Sequence, residues 1–145
     1  MQLDSKSLFG RLHEDLCAAA LEFIGTTLWL MLAFGGIQAS SFANQIQTGD
    51  VDGIPTDTHL IYVSASMGLS LLVTVWLFYR VTGGVFNPAI STGLLLIGAI
   101  GPVRWMLYCI AELVGGIAAA AIILALVPGP LAVKYAYSFN LLLLA

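Results

Sequence analysis

Residues 81–103 carry no charge, and in their middle stands Gly83-Gly84-Val85-Phe86-Asn87-Pro88-Ala89. An asparagine caps a helix by accepting from its first backbone N–H groups. A proline suits the first helical position, where no N–H is needed. Two glycines just before them describe a chain that arrives irregularly and then starts a helix. About 20 apolar residues cross a bilayer, so the run is long enough to span, yet its contents are wrong for a simple span. Irregular backbone at membrane depth persists only where protein or water surrounds it. A helix starting there aims N–H groups and its positive dipole end into that space. These residues suit a pore lining. They equally suit a capped helix start buried with no solute nearby.

Other residue types that do chemistry are sparse. His13 and His59 stand alone in polar segments, with no metal-ligand partner at suitable spacing. Cys17 and Cys109 lie in or beside apolar segments and read as packing residues. No nucleophile–base pair, metal cluster or nucleotide loop stands out, so no catalytic residue, metal or cofactor is expected. Of the 145 residues, 59% are hydrophobic and 9% charged. Soluble domains carry roughly 25% charged residues, so the chain is an integral membrane protein. The net charge of −3 gives no reason to expect nucleic acid.

Charges divide the chain. Residues 1–15 form a polar N-terminal tail, and residues 16–38 a first span holding Glu22. Residues 39–59 read as a polar loop, residues 60–79 as a second span stopped by Arg80, and residues 104–126 as a third full span. Pro128-Gly129-Pro130 ends that span, since no helix crosses such a sequence comfortably. Residues 134–145 form a short tail whose apolar stub is too short to cross a membrane.

Lys6 and Arg11 precede the first span, Arg80 and Arg104 flank residues 81–103, and the 39–59 loop has no Lys or Arg. If residues 81–103 dip in and return, all four basic residues share one face, which is then cytoplasmic. A full crossing puts Arg104 outside. The expected fold is therefore all-α: three transmembrane helices plus one re-entrant loop with a half-helix over residues 88–100, about 20 Å long. The N-terminus is expected in the cytoplasm and the C-terminus on the opposite side, with the plasma membrane the expected location.

Gly68-Leu69-Ser70 followed by Asn87-Pro88-Ala89 resembles the pattern of the aquaporin, or major intrinsic protein, family. Glu22-Phe23-Ile24-Gly25-Thr26 and Ala111-Glu112-Leu113-Val114-Gly115-Gly116 agree with it, and residues 76–88 are most similar to fungal members. The resemblance covers residues 16–133 and implies one inverted-repeat unit, the first half of such a channel. In this family a second repeat supplies three more spans and a second Asn-Pro-Ala half-helix, which this chain lacks.

The resemblance implies conduction of water, with small neutral solutes also in view. Asn87, its side-chain oxygen tied to backbone N–H groups, would donate its amide to passing water. The residues 83–86 would offer carbonyls to the same file, and the half-helix dipole would oppose cations. Met67 falls where water-selective members usually carry an aromatic filter residue, so it reads either as an altered filter or as a packing methionine. Glu22 and Glu112 read as structural braces. By resemblance, the loop that Glu22 supports lies largely in the second repeat, leaving Glu22 without its usual partner here. Glu112 stands where the family more often has Gln; the alternative is a shallow, hydrated position. Gly25, Ser64, Gly68, Ala111, Gly115 and Ala119 recur at four-residue spacing and favour close helix crossings.

The expected function is a water channel of this family, reduced to its first repeat and not conducting alone. Expected partners are the lipid bilayer, water as the transported solute, and aquaporin-family subunits in a hetero- or homo-oligomer. The competing readings are a non-conducting interaction subunit of full-length relatives and a fragment with no function.

Overall fold

The computed structural model describes residues 11–49, 56–127 and 131–132. Most of the N-terminal tail, the acidic loop at 50–55, the Pro128-Gly129-Pro130 stop and the 134–145 tail lie outside the described residues. The described chain is all-α. Its helices are α1 (Leu12–Thr48), α2 (Asp57–Thr82), α3 (Pro88–Leu96) and α4 (Pro102–Leu126). α1, α2 and α4 are each long and apolar enough to cross a membrane. α3 is a nine-residue half-helix.

The 39–59 segment is not the loop expected from its polarity. α1 continues through it for a total of 37 residues, about 56 Å at 1.5 Å per residue. Residues 39–48 hold no glycine or proline, so nothing stops the helix until Gly49. There φ is 70°, and the Gly49 N–H donates to the Gln45 carbonyl, a left-handed cap. The extension is tied to the start of α2. Ser40 Oγ lies 2.7 Å from His59 Nδ1, and Thr56 Oγ1 donates to Asn44 Oδ1 over 2.8 Å. Thr56 also caps α2 by accepting from the His59 N–H. His59 is therefore not isolated; it helps clamp two helices.

The half-helix is shorter than its apolar residues suggest. It stops at Leu96, about 14 Å from its start rather than about 20 Å. Gly98, at φ 74°, gives its N–H to the Leu95 carbonyl and Ala99 gives its own to Leu94. That pair of bonds is a Schellman stop, which needs glycine at the left-handed position. The chain then turns back, and Pro102 opens α4.

α1 lies against both α2 and α4, and α3 against α4. Small residues set the α1–α4 approach: a methyl on Gly115 would stand 3.0 Å from the Phe23 carbonyl oxygen and from Thr26 Cβ. Ala33 and Ala119 are fully buried. α2 departs from the four-residue expectation, since Gly68 meets open space and Ser64 is exposed.

Two contacts bring the re-entrant ends together. Arg104 Nε donates to Asp15 Oδ1 over 2.7 Å, joining the first turn of α1 to that of α4. Tyr108 Oη donates to the Thr82 carbonyl over 3.3 Å, placing the end of α2 there too. Arg11, Arg80 and Arg104 thus share one end of the bundle. In a background lacking Cys17 and Cys109, Arg80→Cys and Ile97→Cys should react with an impermeant thiol reagent from one side of a vesicle. Gln47→Cys should react from the other side. Labelling of Arg80→Cys and Ile97→Cys from opposite sides would show a full crossing.

The re-entrant segment as candidate functional site

The irregular segment 83–87 presents backbone N–H groups at a depth where water cannot be assumed, and each has to find an acceptor. α2 is capped by Gly83, at φ 96°, whose N–H donates to the Tyr79 carbonyl over 3.1 Å. Gly84, at φ 60°, donates to Thr82 Oγ1 over 3.2 Å. A methyl there would stand 3.3 Å from the Val75 backbone, so close approach as well as φ calls for glycine.

The next two N–H groups go to Glu22. Val85 donates to Oε1 over 3.2 Å and Phe86 to Oε2 over 3.0 Å. Glu22 is 0% exposed. This corrects the expectation that Glu22 lacks its partner: the loop it braces is in its own repeat. Both carboxylate oxygens are used, which is how a buried acidic side chain meets its need for donors.

Phe86 has φ 50°, the one non-glycine positive φ among the described residues. Holding an ordinary residue there costs about 1–2 kcal/mol. Packing opposes that cost. The Phe86 ring fits the space left by Gly25, where a methyl would overlap it. It also meets Phe78 edge to face, with centroids 5.8 Å apart.

Asn87 and Pro88 act as their types suggest. Asn87 Oδ1 accepts from the Ala89 N–H over 2.8 Å, and Pro88 occupies the first turn of α3. The Asn87 side chain is exposed, and its Nδ2 has no hydrogen-bond partner among the described residues. A free amide donor therefore stands at the positive end of the half-helix.

The rest of α3 is fastened to α4. Ser91, 0% exposed, donates to Glu112 Oε1 over 2.9 Å. Glu112 is 3% exposed and lies about 12 Å along α4 from Arg104, so the shallow, hydrated alternative does not hold. Its Oε2 has no hydrogen-bond partner among the described residues. Thr92 Oγ1 donates to the Pro88 carbonyl and accepts from Trp105 Nε1 over 3.0 Å. Ser91, Thr92, Trp105 and Tyr108 escape a reading of the sequence. Their one signal is hydrogen-bonding capacity within apolar runs. Met67 is half-buried on α2, its carbonyl accepting from Ser70 Oγ.

Comparison with known proteins places the chain in a family. The model of the family described as major intrinsic protein matches residues 12–141. The chain belongs to the major intrinsic protein family. It is 52% identical over 128 residues to an aquaporin of Laccaria bicolor and 51% identical over 129 residues to aquaporin-1 of the same fungus. Both alignments cover 88% of this chain and 40% of the relative. It is 42% identical to aquaporin-7 of Botryotinia fuckeliana, over 86% of this chain and 28% of that protein. The chain thus spans less than half the length of the relatives it matches.

Glu22→Gln leaves one oxygen for two N–H donors and turns an NH₂ towards the other. A charge-assisted hydrogen bond is worth about 1.5–3 kcal/mol, so we expect a loss near that size in detergent unfolding. Glu112→Gln keeps an oxygen for Ser91 and should cost less than about 1 kcal/mol. Equal losses in the two variants would mean that the Glu22 brace is not special.

Proposed function

We propose that residues 16–133 form one half of a water-conducting pore, in which Asn87 donates its amide to passing water. The observation that carries this reading is the asymmetric use of the Asn87 side chain: Oδ1 is bound to Ala89 while Nδ2 is free and exposed. A water at that donor presents its oxygen, which turns its hydrogens away and interrupts proton hopping along the file. The carbonyls of Gly83, Gly84, Val85 and Phe86 serve as acceptors beside it. Family membership and the aquaporin relatives support the same solute, with small neutral solutes the wider class. The channel reading assigns no catalytic step, metal or cofactor to the chain.

α3 reaches about half of a hydrocarbon core about 30 Å thick. The described residues thus supply one wall and one half-helix, and a complementary half, wherever it is encoded, completes the pore. Met67 would then border the narrow region. Such a partner is an aquaporin-family subunit or a further repeat. We place the end bearing Arg11, Arg80 and Arg104 in the cytoplasm, because basic residues collect there, and the protein in the plasma membrane.

Stopped-flow swelling of vesicles tests the proposal. The chain alone should give swelling no faster than lipid. Assembled with the second repeat of Laccaria bicolor aquaporin-1, it should give rapid water flux. Asn87→Asp in that assembly sets a carboxylate at the positive end of α3, offsetting about 1 kcal/mol of dipole field. Cation permeability should rise about fivefold. Unchanged water and cation permeability would remove Asn87 from the pore, and fast flux from the chain alone would remove the need for a second half.

A further inference from the structure

A cavity of about 340 Å³ opens where the re-entrant chain returns to the bundle end, lined by Arg11, Asp15, Arg104 and residues 99–103. Its volume falls at the small end of ligand sites, enough for a lipid headgroup. Two guanidinium groups face one carboxylate, leaving a single positive charge. Asp15 engages only the Nε of Arg104, so the Nη donors of Arg104 have no partner among the described residues. Arg11 makes no ion pair among the described residues. The first N–H groups of α4 lie in the same wall, and no side chain caps that helix. Arg11, Asp15 and Arg104 all stand at the ends of apolar spans, which is the level of phospholipid phosphates.

We propose that this cavity binds the phosphate of an anionic phospholipid headgroup, held by Arg11 and the free edge of Arg104. The planar guanidinium fork matches a phosphate's oxygens, and basic pockets between spans take anionic headgroups in this manner. Asp15 acts as a positioning residue, fixing Arg104 through Nε so that its other donors face the cavity. Asp15 also lines the cavity, and its pairing with Arg104 Nε offsets its charge there, so the net charge offered to an incoming phosphate stays positive. The site joins α1, the return turn and α4, so an occupied cavity would hold together the two ends of the re-entrant segment. It does not depend on whether the bundle conducts water.

Native mass spectrometry of the purified full chain, titrated with dioctanoyl phosphatidylglycerol, dioctanoyl phosphatidylcholine or inorganic phosphate, tests this. The glycerol lipid should bind at least fivefold more tightly than the choline lipid. Arg11→Gln should weaken it about fivefold, the effect of one basic residue near an anionic surface. Arg104→Lys, which can keep its pairing with Asp15 but loses the fork, should also weaken it. Arg80→Gln, at the same end but outside the cavity, should leave binding unchanged. Equal loss in Arg80→Gln and Arg11→Gln would show a diffuse surface field and overturn the site. So would equal binding of the two lipids. Displacement of the lipid by millimolar inorganic phosphate would overturn the assignment to lipid.

Discussion

Backbone N–H groups outside regular structure must be satisfied inside a membrane, and that requirement organises this protein. An unsatisfied group costs several kcal/mol in hydrocarbon, and residues 83–87 present several in succession. The Glu22 carboxylate answers two of them at once. Neither partner is affordable alone: a bare carboxylate at that depth is expensive, and so are two orphan amides. Their pairing explains why an acidic residue stands in an otherwise apolar span. It also explains how Phe86 persists at φ 50°.

Glu22 is rooted in α1, so the loop inherits the rigidity of the α1–α4 contact. That contact is close because Gly115 and Ala119 let the backbones approach. Gly25 leaves room on the same helix for the Phe86 ring. On the far side of the loop, Ser91–Glu112 and Trp105–Thr92 hold α3 against α4. The segment carrying the Asn87 amide is thereby fixed from both directions, while its Nδ2 has no partner among the described residues. A mobile amide would turn back to the nearest carbonyl, so the donor stays available only because the segment around it is held.

Local chemistry was legible in the sequence wherever one residue type has one structural use. Asn87 as cap, Pro88 at the helix start and paired glycines at the irregular segment all hold. The dip and return of the chain was legible from Arg80 and Arg104, which share one end of the bundle. Polarity misled over residues 39–48, because a polar segment without glycine or proline continues a helix that already exists. The half-helix is shorter than its apolar run because Gly98, a single glycine within that run, takes the left-handed position that stops it. The Glu22 partner was out of reach for a different reason. The contact joins residues 63 and 64 positions apart, and nothing local points across that distance. A buried acid signals only that some donor exists. The hydrogen bonds of Ser91, Trp105 and Tyr108 were hidden in the same way.

Hydrogen–deuterium exchange of the reconstituted chain, resolved to single amides, reads the Glu22 brace directly. Val85 and Phe86 N–H should be protected to the level of the Thr26 region of α1, although neither belongs to a helix. Exchange at Val85 and Phe86 as fast as in the exposed turn at Gly98 would contradict the brace and the structure built upon it.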